Sequence, residues 1–172
     1  MMFGVLTYLS VKGKVLMMKK GIRENDPNSG KYTFPGGNLE PFEKGLDKPQ
    51  GRLEAAVREP QEETGLTILN PTLRGIVIFH NFEREFDNWP NPEDFPVYIY
   101  SATEYTGELL VEGRKGKNEV PVWVDEKEVP SVSKNIGDEK YHEWLKDGRF
   151  FVGVVKHKGK ELDEKGTFVD YF

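Results

Sequence analysis

The chain of 172 residues contains no cysteine, so it can form neither a disulfide nor a thiolate metal site. This suits a cytoplasmic protein. It also has no apolar run of the roughly 20 residues that a membrane-spanning helix needs, so we expect no membrane insertion. Positive charge is not in excess either. The formal net charge of −5 gives no broad basic surface for a nucleic-acid polymer, and a small-molecule substrate is favoured over a stable nucleic-acid partner.

The length fits one domain, which we place at residues 1–172. The first ten residues, MMFGVLTYLS, are apolar but have no basic leader and no cleavage motif of small residues. A first β-strand is therefore predicted there in preference to a secretory signal. Nothing in the sequence indicates the oligomeric state.

Short apolar segments bounded by turn residues predict most of the secondary structure. Strands are expected at 2–10, 14–19, 73–83, 96–105, 119–125, 150–157 and 167–172. Helices are expected at 51–65 and 138–146, and the three prolines of segment 86–96 predict a long loop. Because strands surround two helices without strict alternation, we predict an α+β domain with a mixed sheet.

The first predicted helix has two different faces. At about 100° per residue, one stripe carries Leu53, Ala56, Val57 and Pro60, and the other side carries Glu59, Glu62 and Glu63. Like charges at this spacing repel by a few tenths of a kcal/mol per pair, and the C-terminal end of a helix also disfavours anions. A solvated helix face is the ordinary explanation of such acids. A hard divalent cation such as Mg²⁺ or Mn²⁺ would reverse both penalties.

Pro60 lies on the packing stripe of this helix. Its ring cannot donate a hydrogen bond and would clash with the carbonyl of Ala56, at a cost of about 3 kcal/mol in an uninterrupted helix. We therefore predict a kink or a shifted helix start. Either change could move Glu59 relative to Glu62 and Glu63.

Residues 36–66 combine these acids with an upstream glycine pair, FPGGNLEPFE. The ordered set is Gly36-Gly37, Glu43, Arg58-Glu59, Glu62-Glu63 and Gly65-Leu66. This pattern resembles the signature of the Nudix hydrolases, which cleave nucleoside diphosphates linked to another group. The resemblance implies an α/β/α sandwich with a mixed β-sheet and a catalytic loop-helix. The spacer after Glu43 is seven residues longer than the family pattern, which predicts a lengthened loop at about 44–51.

The resemblance also implies roles for individual residues. Glu59, Glu62 and Glu63 match the acids that hold catalytic Mg²⁺, for which Mn²⁺ can substitute. The carbonyl of Gly36 matches a frequent backbone ligand, and Arg58 with Glu43 matches the pair that braces loop against helix. Glu119 lies where a further metal-binding or base-positioning acid is often found, although an ordinary glutamate at a strand edge is the alternative.

Beyond this segment, the chain resembles the MutT-type enzymes that clear oxidised purine nucleotides. That likeness implies hydrolysis of a small nucleotide such as 8-oxo-dGTP to the monophosphate and pyrophosphate. Thr33 and Tyr32 match a region that reads the base. Asp138 and Glu139 match an acidic pair that reads the purine edge, with an ordinary pair at a helix N-terminus as the alternative. Ile136 stands where an aromatic stacking residue is often found.

Two rival functions remain at this point. The first is a Nudix hydrolase of another diphosphate, such as ADP-ribose, a dinucleoside polyphosphate or a 5′-triphosphate RNA end. The second is a Nudix-fold sensor without catalysis. His80, His142 and His157 have no catalytic spacing, and we interpret them as incidental.

Overall fold

The computed structural model describes residues 3–26, 28–41, 49–81 and 94–172. In chain order its strands are β1 (Gly4–Val11), β2 (Lys14–Lys20), β3 (Tyr32–Thr33), β4 (Gly36–Asn38), β5 (Leu66–Leu69), β6 (Thr72–Asn81), β7 (Phe95–Ala102), β8 (Glu104–Gly107), β9 (Glu119–Asp125), β10 (Phe151–Lys158), β11 (Glu161–Leu162) and β12 (Phe168–Tyr171). The α-helices are α1 (Pro49–Thr64) and α2 (Asp138–Asp147), and a 3₁₀ turn spans Val129–Ser131. Within the described ranges, none of the helices has the length and apolar character needed to cross a membrane.

The strands form a mixed sheet, as the sequence predicts. The order is β11-β10-β6-β7-β1-β2-β3, with β4 also paired to β1, β9 to β2 and β12 to β10. The pairs β1–β7 and β6–β10 are parallel, whereas β6–β7 and β1–β2 are antiparallel. Strands β5 and β8 form a separate antiparallel pair.

The two helices cover opposite faces of this sheet. Successive side chains of a strand point to opposite faces, and β7 shows both sets. Tyr98 and Tyr100 pack with Ala55 and Ala56 of α1, while Val97 and Ile99 belong to the core that contains Tyr141 and Trp144 of α2. This arrangement is the predicted layering of helix, sheet and helix.

Several predicted boundaries need correction. The loop predicted at 86–96 gives way to β7 at Phe95, and its residues 86–93 lie outside the described residues. Helix α1 begins at Pro49, so the last residues of the loop predicted at about 44–51 are helical, while 44–48 are not described. Proline is favoured in the first turn of a helix because its missing N–H has no intrahelical partner there. Strands β3, β4, β5 and β11 were not predicted, since segments of two to four residues are too short to show a period.

Pro60 neither ends α1 nor shifts the helix start beyond it, since the helix continues to Thr64. Pro60 has no N–H to donate to the carbonyl of Ala56, four residues earlier. The buried hydroxyl of Thr7 on β1 donates to that carbonyl instead, with an oxygen–oxygen distance of 2.8 Å. A strand side chain thus replaces the missing helix hydrogen bond.

We expect Thr7→Val to lower the free energy of unfolding by about 1–2 kcal/mol, because it leaves the buried Ala56 carbonyl without a donor. In a Pro60→Ala background the new N–H of residue 60 can donate to the same carbonyl. Urea denaturation of the wild type, both single variants and the double variant measures this coupling. Equal destabilisation by Thr7→Val in the wild-type and Pro60→Ala backgrounds would show that the Thr7 hydroxyl does not replace the missing helix hydrogen bond.

Candidate active site

Glu63 is the most enclosed of the three predicted helix acids, with 7% of its surface exposed. Its Oε2 accepts a hydrogen bond from the backbone N–H of Gly36 on β4 at 2.9 Å. Burial raises the pKa of Glu63 to about 7; nearby Glu119 and Glu59 add to the shift, whereas the Gly36 hydrogen bond and Arg114 oppose it. The last turn of α1 therefore presents a carboxyl group that resists ionisation unless more positive charge is supplied.

The glycine pair of β4 allows the backbone to lie tightly between β1 and α1. A Cβ atom at Gly36 would lie 2.0 Å from the carbonyl oxygen of Val5, and one at Gly37 would lie 2.3 Å from Oε2 of Glu59. Real Cβ contacts are not so short, so a side chain at Gly36 would push β4 away from β1, and one at Gly37 would displace the Glu59 carboxylate. The pair brings the main chain against two of the predicted metal-binding acids.

Glu119 lies at the start of β9, directly opposite Lys20 of β2 in the strand register. It is buried, and it accepts hydrogen bonds from the Lys20 ammonium and from Nη2 of Arg114, the latter at 3.0 Å. Burial acts to raise the pKa of Glu119, but these two cations outweigh it and leave the pKa lowered. The same Arg114 nitrogen lies 3.4 Å from Oε1 of Glu63, so Glu119 and Glu63 share one guanidinium.

Glu59 and Glu62 share a second guanidinium. Nη1 of Arg58 lies 2.7 Å from Oε1 of Glu59 and 3.4 Å from Oε1 of Glu62. The Glu59 side chain is mostly buried, whereas half of the Glu62 side chain is exposed. The predicted partner of Arg58, Glu43, lies outside the described residues. The described contacts thus bring Glu59, Glu63 and Glu119 into one electrostatic cluster and leave Glu62 at its solvent side.

The chemistry of these donors fits a hard divalent cation, because Mg²⁺ and Mn²⁺ prefer carboxylate oxygens. The mutual repulsion that helps to raise the pKa of Glu63 is what an added cation would relieve. Among the described residues, however, no three acidic or histidine side chains stand ready in a ligand arrangement. Arg58, Arg114 and Lys20 hold the carboxylates in this structure, so their ammonium and guanidinium groups supply the positive charge.

A cleft of about 360 Å³ opens beside Glu63 and Glu119. Its lining comprises Lys20, Arg23, Asp26, Asn28, Glu63, Arg114, Lys117, Asn118 and Glu119. Sequence reasoning missed its four basic residues. Lys20 could have been found once β2 was paired with β9, because it faces Glu119 in that register. No sequence pattern linked Arg114 to Glu63, 51 positions away.

The predicted base-reading residues lie on β3 and at the start of α2. The N–H of Tyr32 donates to the carbonyl of Ser133 at 2.8 Å, which ties β3 to the segment before α2. Next to Thr33, the buried ring of Phe34 stacks on His142 of α2, with ring centroids 4.2 Å apart. The hydroxyl of Thr33 donates to the carbonyl of Phe34 at 3.2 Å. Tyr32 and Thr33 are therefore held beside α2.

The acidic pair of α2 is divided between two environments. Burial raises the pKa of Asp138 to about 7, although hydrogen bonds with Asn135 and Tyr141 act against the shift. Glu139 instead accepts the N–H of Gly137 at 3.0 Å, which is a contact of the helix N-terminus. Ile136, which stands where an aromatic residue was expected, is half exposed.

The three histidines have other surroundings. Burial lowers the pKa of His142 to about 3, so this ring is neutral where it stacks on Phe34. Nε2 of His157 lies 2.8 Å from the carbonyl oxygen of Ile136, and His80 pairs with Asp94. These contacts place them in the α2 core or at the far part of the sheet, away from the residues that line the cleft.

Comparison with known proteins supports the fold and the family. An uncharacterized Nudix hydrolase of Bacillus subtilis, YvcI, is 27% identical over 141 residues, which cover 82% of this chain and 77% of the relative. The crystal structure of a MutT protein from Bacillus halodurans has a TM-score of 0.76 at 24% identity and covers 99% of this chain and 98% of its own. The NUDIX domain of Shewanella oneidensis NrtR, solved with ADP-ribose, has a TM-score of 0.61 at 13% identity over 85% and 86% of the two chains.

The structural likenesses confirm the predicted α+β fold, with its mixed sheet and two helices. The family model described as NUDIX domain matches residues 2–145, a span that includes both the acid cluster and the predicted base-reading residues of β3 and α2. The chain therefore belongs to the Nudix family of hydrolases.

Proposed function

We propose that this protein is a divalent-metal-dependent pyrophosphohydrolase of nucleoside triphosphates, with an oxidised purine deoxynucleotide such as 8-oxo-dGTP as its leading substrate. It would release the monophosphate and pyrophosphate. The proposal includes Mg²⁺ as the cation, Mn²⁺ as a substitute, and the cytoplasm as its location.

One observation carries this proposal: the acid cluster and the predicted base-reading residues flank the same short strand. On one edge of β2, Lys20 pairs with Glu119. On the other edge, Met18 pairs with Thr33. Two residues along a strand span about 7 Å, and the two strand spacings across β2 span about 10 Å, so the two places are about 12 Å apart along the diagonal. A single nucleotide can extend from one to the other.

The cleft chemistry supports a polyphosphate at the acid end. Lys20, Arg23, Arg114 and Lys117 provide cationic groups around Glu63 and Glu119. We assign Glu59, Glu63 and Glu119 as the residues that would hold the cation, with Glu62 and the carbonyl of Gly36 as further ligands from the family resemblance. When bound, the cation would neutralise phosphate oxygens and lower the pKa of an attacking water.

The protein's own groups position the reaction. The Gly36 N–H orients Glu63, and Arg58 holds Glu59 on the same helix face. The basic side chains of the cleft would fix the polyphosphate while water attacks phosphorus and a phosphoanhydride bond breaks. No nucleophilic side chain is required, because water supplies the attacking oxygen.

The polar residues beside α2 would bind a purine at the other end. Asp138 is buried, and its pKa near 7 allows it to donate a hydrogen bond when protonated or to accept one when ionised. Oxidation at C8 converts N7 of guanine from an acceptor to a donor. Asp138 in its ionised form would therefore favour the oxidised base if it faces N7. Glu139, Thr33 and Tyr32 complete the proposed base-reading set.

ADP-ribose is the second candidate substrate. The NUDIX domain of NrtR shares this fold and was solved with ADP-ribose, and a diphosphate would suit the same basic cleft. The choice between the two substrates depends on the base end of the site, since both offer phosphates to the acid end.

The decisive experiment is a Mg²⁺-dependent screen of 8-oxo-dGTP, dGTP, dATP and ADP-ribose, with monophosphate and pyrophosphate measured separately. We expect a higher kcat/KM for 8-oxo-dGTP than for dGTP, because an unsatisfied buried polar group costs about 1–3 kcal/mol. Equal efficiency on the two guanine nucleotides, or a preference for ADP-ribose, would refute the oxidised-purine assignment.

Glu63→Gln is expected to reduce turnover by at least about 100-fold with the fold retained. Loss of a residue that only hydrogen-bonds to a metal ligand costs about 10- to 100-fold in activity, and Glu63 is assigned as a ligand itself. The amide keeps an acceptor for the Gly36 N–H but loses the charge that binds a cation. Glu54→Gln is the matched control, because Glu54 is an exposed acid of the same helix. Near wild-type turnover of Glu63→Gln at limiting Mg²⁺ would exclude Glu63 as a ligand.

The selectivity should depend on pH through Asp138. Its pKa is raised, so below about 7 the neutral carboxyl can donate to N7 of dGTP, and above it the carboxylate accepts from the N7–H of 8-oxo-dGTP. We expect the ratio of kcat/KM for 8-oxo-dGTP over dGTP to rise between pH 6 and pH 8. Asp138→Asn should flatten this rise. A ratio that does not change with pH in the wild type would place Asp138 away from N7.

A further inference from the structure

Arg114 makes an arrangement that the proposed reaction does not explain. Its Nη2 reaches Glu119 at 3.0 Å and Glu63 at 3.4 Å, and both carboxylates are buried. These are two of the acids that we assign to the cation. The guanidinium therefore sits on the same oxygens for which a divalent cation would compete.

The contact uses only part of the hydrogen-bonding capacity of Arg114. One nitrogen serves both acids, and Nε is buried but has no acceptor among the described residues. A guanidinium that served only to clamp carboxylates would normally use two parallel N–H groups, the arrangement that gives the strongest pairs. The spare buried donor suits a further acceptor with several oxygens, such as a phosphate.

The loop around Arg114 holds its backbone close to Glu119. A Cβ atom at Gly113 would lie 2.1 Å from the carbonyl oxygen of Glu119, and Gly113 has a positive φ of 71° that favours glycine. The N–H of Gly21 donates to the carbonyl of Asn118 at 2.9 Å, which ties the loop to the end of β2. The main chain is anchored, so the long side chain of Arg114 can change partners without a movement of the loop.

The rest of the cleft favours such a change. The cleft lining contains three acidic and four basic side chains: Asp26, Glu63 and Glu119, and Lys20, Arg23, Arg114 and Lys117. Once Glu63 and Glu119 bind another cation, Arg114 lacks its counter-charges and stands among basic groups. Like charges at short range disfavour that state unless an anion enters.

We propose that Arg114 is an exchangeable counter-cation, which releases Glu63 and Glu119 to a divalent metal and turns to the polyphosphate of the nucleotide. This inference rests on the proposed function for the identity of the anion. It makes Arg114 a residue that couples metal binding to substrate binding. Metal alone should bind weakly because it must displace Arg114, whereas metal with polyphosphate should bind well.

The test is the affinity of Mn²⁺ alone, measured by electron paramagnetic resonance without nucleotide. Arg114→Gln should bind Mn²⁺ about tenfold more tightly than the wild type, a change of about 1.4 kcal/mol. Lys117→Gln is the matched control, since it removes the same charge from the same cleft. In the described part of the chain, the cations that pair with the two carboxylates are Arg114 and Lys20. We expect less than a twofold change for Lys117→Gln. Equal shifts in the two variants, or no gain in Arg114→Gln, would overturn the proposal.

A second measurement addresses the anion. Calorimetric binding of inorganic tripolyphosphate in saturating Mg²⁺ should weaken about tenfold in Arg114→Gln and recover in part in Arg114→Lys, which restores the charge but not the planar group. Unchanged tripolyphosphate affinity in Arg114→Gln would overturn the partner exchange. Arg114→Met, which removes the charge and keeps an aliphatic side chain, serves for the Mn²⁺ measurement if the glutamine variant does not fold.

These outcomes are separable from the proposed function. Failure of the nucleotide assignment would appear as absence of pyrophosphate release by the wild-type protein, an assay that does not enter the Mn²⁺ comparison. A wild-type protein that hydrolyses nucleotides while Arg114→Gln fails to gain Mn²⁺ affinity would refute the role of Arg114 alone.

Discussion

The hydrogen bond from the Gly36 N–H to Glu63 fixes the geometry on which the acid cluster depends. It joins β4 to the last turn of α1. The glycines of β4 leave room for this packing, since a Cβ atom at Gly36 would meet the backbone of β1 and one at Gly37 would meet the Glu59 carboxylate. With this contact in place, the residues one helical turn earlier, including Glu59, face the same strand. The protein thereby holds several carboxylates in a partly buried environment, where they are less well solvated than at the surface.

Charge compensation is the second constraint. Carboxylates that are buried together raise one another's pKa and destabilise the folded protein unless cations are close. Arg58 forms ion pairs with Glu59 and Glu62. Lys20 and Arg114 pair with Glu119, and Arg114 also pairs with Glu63. These pairs allow the fold to form with the acids assembled. Lys20 and Arg114 also line the cleft that we propose for a polyphosphate, so these two side chains meet both requirements.

The proline of α1 shows how the scaffold accommodates a local defect. Pro60 deprives the Ala56 carbonyl of its helix partner, and Thr7 of β1 supplies the missing donor. The side-chain hydroxyl of Thr64 in turn donates to the carbonyl of Pro60 at 2.7 Å. The acids on either side of Pro60 thus belong to one continuous helix. Its position relative to β1 is set by a hydrogen bond as well as by the packing of Ala55 and Ala56.

The sequence by itself determined the elements that have a clear period or a dense motif. Strand β9 was predicted with its observed bounds, α2 was predicted to within one residue, and the ordered glycines and acids of residues 36–66 indicated the family. Local chemistry suffices for these features, because hydrophobic period and motif spacing are encoded in neighbouring residues. Only the tertiary structure decided which distant groups meet. The donation from Thr7 to Ala56, the bridge from Arg114 to Glu63 and the placement of Thr33 and Glu119 on opposite edges of β2 all join residues that no local pattern connects, since strand register and side-chain reach are set by the packing of the whole sheet.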